Sequence, residues 1–372
     1  MTSAAAQSVA ASPPENTMPA GHARALRLWL AGVAFLIVAM ILVGGATRLT
    51  ESGLSITEWQ PVMGAIPPLS EADWQEAFAA YKQIPQYTEL NRGMSLDQFK
   101  TIYWWEWTHR FLGRLIGVVF FVPFVVFWAA GYIPRALKPR LIGLFVLGGL
   151  QGGIGWYMVK SGLVDRTSVS QYRLMVHFGL AVAILGYTLW LLFDLGIGTQ
   201  SRHARDRIGA TTWVAALVLA LIFLQLLSGA LVAGLDAGMG YNTWPLIDGA
   251  FIPRGLDTAT PWYLNLFENG LAVQFNHRML GYAVVVASLA QAVWLAFRRA
   301  PQPLIGTAST LAVLSVLQAT LGVWVLLLAV PIELGIAHQA GAILVFATAL
   351  YHLWQTRHAF APAVKAQAVA SA

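Results

Sequence analysis

Eight stretches of this 372-residue chain are long, apolar and almost free of charge, and they leave few folds open. They cover residues 29–46, 115–133, 141–159, 174–193, 208–235, 279–297, 303–332 and 334–354. As a helix, each can cross a hydrocarbon layer of about 30 Å. A spanning segment has no water to satisfy its backbone groups, so it must be a helix or part of a closed barrel, and runs of this length are helical. Charged residues are 11% of the chain, against about 25% in a soluble protein. The fold class expected is an all-α polytopic membrane protein with eight transmembrane helices.

The net charge of +6 divides by side. With a cytoplasmic N-terminus and loops counted alternately, the inner side holds twelve of the 23 Lys and Arg residues but three of the 17 acids. Arg135, Lys138 and Arg140 fill one short inner loop, and Arg202, Arg205 and Arg207 another. That is the positive-inside pattern, so both termini are expected in the cytoplasm, and the basic balance does not call for nucleic acid. The chain has no cysteine, which excludes disulfides, iron–sulfur clusters, thiolate haem ligation and Cys-based zinc sites. Residues 1–23 lack the apolar core of a signal peptide and are expected to be a disordered tail, with a second tail over 358–372.

The chain also repeats itself. Gly44-Gly45-Ala46-Thr47-Arg48-Leu49-Thr50-Glu51-Ser52-Gly53 follows the first apolar segment, and Ser228 to Gly238 follows the fifth. Glu51, Gly53 and Trp59 map onto Asp236, Gly238 and Trp244 at an offset of 185. His109-Arg110 maps onto His277-Arg278 at 168, Leu150-Gln151 onto Leu317-Gln318 at 167, and His177 onto His338 at 161. Anchors recurring in one order predict an internal duplication. The expected architecture is two tandem pseudo-symmetric four-helix bundles, 24–195 and 208–357, joined by a cytoplasmic linker over 196–207. An even number of helices gives both copies the same orientation.

His109, His177, His277 and His338 are expected within the first turns of the second, fourth, sixth and eighth spanning helices, at one depth near the outer face. His22, His203, His352 and His358 are expected to be solvated or interfacial. A lone membrane histidine is more often a packing residue than a ligand, but four at matching places in a duplicated frame point to ligation. Two neutral imidazoles without cysteines or clustered carboxylates do not suit structural zinc, which takes four ligands. They suit the two axial positions of a haem held between helices. Arg48, Arg110, Arg114, Arg173 and Arg278 lie at the same level. They can bind haem propionates bidentately or snorkel to the headgroups, and the repeated His-Arg pair favours the propionates.

Glu106 aligns with Gln274, and two readings of that difference stay open. One is structural: a salt bridge from Glu106 to Arg110, four residues on, or an interfacial carboxylate among Trp104, Trp105 and Trp107. The other is chemical, a carboxylate used at the edge of a macrocycle, which makes the N-terminal half the reactive one. In the loop between the first two spanning helices, the amphipathic stretch 71–78 suits a helix lying at the headgroups.

The run from Gly44 to Ser55, the Glu106-Trp107-Thr108-His109-Arg110 motif and the paired late histidines resemble the haem A synthases, in the branch shared by alphaproteobacteria and mitochondria. The likeness spans residues 25–357. It implies a haem-dependent oxidoreductase of the inner (plasma) membrane, with its haem ligands near the periplasmic side. Such an enzyme oxidises the C8 methyl of haem O by successive hydroxylations to the formyl group of haem A, for cytochrome oxidase. It further implies that His109 and His177 serve the substrate haem O and product haem A, that His277 and His338 ligate a haem b, and that Glu106 is catalytic. The partners implied are haem O, delivered by a haem O synthase, an electron donor the sequence does not identify, and membrane lipid. Self-association into a homo-oligomer is compatible with this reading. Some members carry a cysteine pair in the first outer loop, and this chain has none. The rival reading is a bis-histidine cytochrome b-type electron-transfer protein that oxidises quinol. A duplicated transporter ranks third, because no charge stands near the bilayer midplane.

Overall fold

The computed structural model describes residues 18–60, 63–196 and 209–358, and in it eight helices are long and apolar enough to cross a membrane. They are α1 (Ala20–Leu49), α3 (Leu96–Ala129), α4 (Lys138–Asp165), α5 (Gln171–Gly196), α6 (Ala210–Gly234), α7 (Gly270–Phe297), α8 (Gln302–Leu327) and α9 (Ile332–His358). A short helix, α2 (Glu71–Tyr81), lies between the first two. The expected linker from residue 197, the tail from 359 and residues 1–17 of the first tail lie outside the described residues. α1 starts at Ala20, inside the stretch expected to be tail, because Ala, Arg and Leu favour a helix there and Leu26 is fully buried.

α3 begins about five turns before its apolar block. Ser95 and Gln98 form a capping box, each side chain accepting from the other's backbone N–H. The projecting turns carry Phe99 and Tyr103, and these bury the apolar stripe of α2. Phe78 stacks on Phe99 with ring centres 4.9 Å apart, and Trp74 meets Tyr103 edge-on at 4.9 Å. The amphipathic stretch is thus a helix whose apolar stripe is buried by protein. A stripe at i, i+4 and i+7 can be buried by any apolar partner, and here the extension of α3 supplies it.

α1 packs on α3, α5 and α9, while α6 packs on α5, α7 and α9. α8 lies between α7 and α9, and α4 leans mainly on α5. Close approach of helices in a membrane depends on small residues rather than on hydrophobic exclusion. At Gly179 a Cβ would stand 2.6 Å from Leu227, and at Gly186 3.1 Å from Phe346. α5 thus seats directly on α6 and α9. The opposite side of α3 exposes Val118, Phe121, Val122, Val125 and Val126, as a lipid-facing surface does. The loops 50–95 and 235–269 share one end of the molecule, here the loop face. The start of α1 and the end of α9 lie at the other, the terminal face.

Candidate functional site

Four histidines stand toward the loop face, and each meets a glycine of the neighbouring helix. A Cβ on Gly44 of α1 would lie 3.2 Å from Nε2 of His109, and one on Gly155 of α4 would lie 2.9 Å from Cε1 of His177. In the second half the same test gives 3.2 Å from Gly229 of α6 to Cε1 of His277, and 2.8 Å from Gly322 of α8 to Cε1 of His338. His177, His277 and His338 sit in the second or third turns of α5, α7 and α9. His109 lies about four turns into α3, a correction that follows from the early start of that helix.

The rings of His109 and His177 face each other with centres 6.5 Å apart and planes at 66°. Two imidazoles on opposite sides of one iron, each bonded at about 2 Å, hold their ring centres roughly 6 Å apart. The separation of the two rings is close to that spacing, while the Gln151 amide nitrogen lies 3.4 Å from Nε2 of His177. His277 and His338 lie on the corresponding helices, α7 and α9. Among the described residues no three of His, Cys, Asp and Glu converge as a metal-ion site would need, so the donor set is one of imidazole pairs.

Glutamines hold the histidine helices. Gln151 donates to the carbonyl of His177 at 3.0 Å, Gln318 to that of His338 at 2.7 Å and Gln225 to that of His277 at 3.1 Å. Ser228 Oγ is 2.8 Å from Nδ1 of His277, and the Gln225 amide nitrogen lies 3.2 Å from Nδ1 and 3.3 Å from Nε2 of the same ring. Gln225 is absent from the sequence motifs, and Ser228 opens the second repeated stretch with no role assigned to it; the signal for both was two lone polar residues one turn apart in an uncharged run. At the 185 offset their places in α1 are taken by Met40 and Val43. The methyl of Met40 lies 3.3 Å from a Cβ on Gly113, as Nε2 of Gln225 lies 3.3 Å from one on Gly281.

Glu106 is buried, 2% exposed, and not interfacial. Its Oε1 accepts from Arg110 Nε at 3.0 Å and Nη2 at 2.6 Å, and its Oε2 from Ser55 Oγ at 2.8 Å and the Ile56 N–H at 2.7 Å. Gln274, also 2% exposed, meets the reverse polarity. Its Nε2 donates to the carbonyls of Ala237 and Gly240 at 2.7 Å, while Oε1 accepts from Arg278 at 2.9 Å. An acid thus stands where the loop offers donors, and an amide where it offers acceptors.

The arginines clamp the loops over the histidines. Arg110 donates to the carbonyls of Ile56 (2.8 Å) and Glu58 (3.0 Å), and Arg278 to those of Tyr241 (2.8 Å) and Thr243 (2.9 Å), positions related by the same offset of 185. Glu51 and Asp236, also so related, both adopt left-handed backbone, with φ of 52° and 51°. Arg48 pairs with Asp236 at 2.6 Å, tying the end of α1 to the second loop. Arg114 donates to the Gln60 carbonyl at 2.9 Å, and Arg173 bonds Ser161 and stacks on Tyr157. All five candidate arginines have protein partners, but the buried Nε of Arg48 and of Arg278 lacks an acceptor among the described residues. A cleft of about 390 Å³ opens beside Arg110, lined by Glu58, Trp59, Trp156 and Lys160.

Of the other histidines, His22 stacks on Tyr132 and His203 lies outside the described residues. His352 is 1% exposed and bonded to Thr307, so it is neither solvated nor interfacial. The stem of α9 carries it into the helix bundle.

Eight helices long and apolar enough to cross a membrane define a class, the multi-pass membrane proteins, here with two sets of helix-borne imidazoles toward one end. The family model for COX15-CtaA, cytochrome oxidase assembly proteins, matches residues 27–350. The chain is 56% identical to a heme A synthase of Parvibaculum lavamentivorans, over 88% of this chain and 93% of the relative. It is 50% identical to one of Maricaulis maris, over 90% and 97%, and 49% identical to one of Agrobacterium fabrum, over 88% and 89%. The chain belongs to the haem A synthase family.

Proposed function

We propose that this chain converts haem O to haem A by oxidising the C8 methyl to a formyl group, through two hydroxylations and loss of water from the gem-diol. The observation that carries this reading is the His109–His177 pair, 6.5 Å between ring centres, in a member of the haem A synthase family. The comparisons lend no support to the quinol-oxidising alternative.

His109 and His177 hold the substrate haem O from opposite sides, with Gly44 and Gly155 leaving room for the rings. His277 and His338 hold a resident haem b, which supplies electron-transfer chemistry when bound. The buried Nε atoms of Arg48 and Arg278 have no acceptor among the described residues, and a haem propionate would supply one. Glu106 is anchored by four donors, so it acts as a fixed negative charge, stabilising positive charge that develops at the oxidised methyl carbon.

The halves form two tandem bundles, 24–195 and 208–357. The paired arginine–loop contacts at one offset, and the glycine before each histidine, support that duplication. The loop face is periplasmic and both termini are cytoplasmic, in the inner membrane. Arg135, Lys138, Arg140, Arg298 and Arg299 between helix ends of the terminal face support this orientation. Haem O arrives from a haem O synthase.

The test is expression in a host that supplies haem O, with mass spectrometry of the extracted haems. The wild type is expected to yield haem A and Glu106→Gln little or none, with haem still bound. No haem A from the wild type overturns the function, and undiminished haem A from Glu106→Gln removes that residue from the mechanism.

A further inference from the structure

The core of the last four helices carries polar groups that neither histidine pair uses. On the inward stripe of α7, Ser288 and Gln291 lie one turn apart and are 0% and 2% exposed. Ser315 of α8 is buried and bonds Ser288 at 3.2 Å. His352 of α9 has its Nδ1 2.8 Å from Thr307 Oγ1, and Thr307 also reaches Gln355 Oε1 at 2.8 Å. Both polar atoms of Gln291 and Nε2 of His352 are buried without a partner among the described residues. Buried polar groups in native proteins are hydrogen-bonded to protein or to ordered water, and those left by the protein are met by water.

These groups follow one axis. From the terminal face come Gln355, Thr307 and His352, then Gln291, Ser288 and Ser315. Gln318 is one turn beyond Ser315 and reaches Nδ1 of His338 at 3.0 Å. The first half has no such line. By the offsets of the repeat, Phe120, Pro123, Gly148 and Leu191 stand where the second half has Ser288, Gln291, Ser315 and His352, while Thr307 and Gln355 correspond to Arg140 and Asp194, which pair with each other at 2.8 Å at the terminal face. Phe120 and Leu191 belong to the closed apolar core. Four-helix packing in this chain therefore does not require the polar line.

We propose that these side chains line a file of internal water, running from the terminal face to Gln318 and His338, that carries protons to the second site. Thr307 passes its hydroxyl proton to His352 Nδ1 as it takes another from the surface side. Nε2 releases one to the water at Gln291, so one proton leaves the file for each that enters and no net bond changes. What the protons serve rests on the function proposed above, but the presence of the water does not.

The full-length protein in lipid nanodiscs, exposed to hydroxyl radicals and read by mass spectrometry, tests the file. His352 is expected to be oxidised several-fold faster than Leu191 and Phe120, which are also buried. Gln291→Leu is expected to cut that labelling several-fold, and Gln291→Asn, which keeps the amide, to retain it. Proton uptake on dithionite reduction of the haem-loaded protein, followed with a soluble pH dye, is expected to slow at least tenfold in Gln291→Leu. Equal protection of His352 and Leu191 overturns the file, whatever haem is bound. Unchanged proton uptake in Gln291→Leu overturns its role in carrying protons.

Discussion

Gly322→Ala sets a helix preference against a steric limit. Alanine is favoured over glycine inside a helix by about 0.5–1 kcal/mol, so local propensity alone predicts a gain. The new methyl would stand 2.8 Å from Cε1 of His338 and 3.5 Å from both ring nitrogens. Carbon atoms rest at about 3.5–4.0 Å, so the ring or α8 must retreat by more than about 0.5 Å. Retreat is resisted, because Gln318 on α8 already holds the His338 carbonyl at 2.7 Å and Nδ1 at 3.0 Å. Overpacking of this kind costs about 1–3 kcal/mol. The net expectation is a loss of about 1–2 kcal/mol at the second site, or roughly 5–30-fold weaker haem retention. The assay is haem release on heating or dilution, followed by absorbance, with Gly306→Ala as control. Gly306 is on the same helix, and a Cβ there meets nothing within 4 Å. Gly322→Ala retaining haem as tightly as Gly306→Ala, with an unshifted spectrum, would refute the argument.

Two further substitutions probe the loop clamps. Gln274→Glu turns a carboxylate toward the carbonyls of Ala237 and Gly240, and leaving buried groups so mismatched costs about 1–3 kcal/mol or more. A lower thermal midpoint is expected, and no change would mean the loop polarity does not select the residue. Trp74→Ala empties the contact between α2 and α3, at about 3–5 kcal/mol by analogy with buried aromatic truncations. Limited proteolysis should then cut the 63–95 segment many times faster, while the spanning helices stay protected.

The eight helices were legible because an uncharged run of spanning length has few alternatives. The sequence singled out His109, His177, His277 and His338 by their matching places, and each meets a glycine of a neighbouring helix. Gln151 and Gln318, which bond the carbonyls of His177 and His338, stood among the recurring anchors, whereas Gln225 did not, since Met40 takes its place in α1. The difference between Glu106 and Gln274 could be read only as a pointer to chemistry. Its local cause, donors from Ser55 and Ile56 against carbonyls of Ala237 and Gly240, depends on loop conformation that no spacing encodes. His352 was misplaced for a similar reason: its position near a helix end suggested water, and three-dimensional packing buries it. The aromatic stripe of α2 fitted lipid and protein equally well until α3 was seen to project beyond its apolar block.

The division of labour between the two histidine pairs is the centre of the account, and magnetic resonance of the bound haem tests it most directly. The purified wild type should show low-spin iron with two imidazole ligands. His277→Ala should lose the haem b signal while a haem supplied to the His109–His177 site keeps its own. Retention of the full wild-type signal in His277→Ala, or loss of both haems together, would contradict two independent sites.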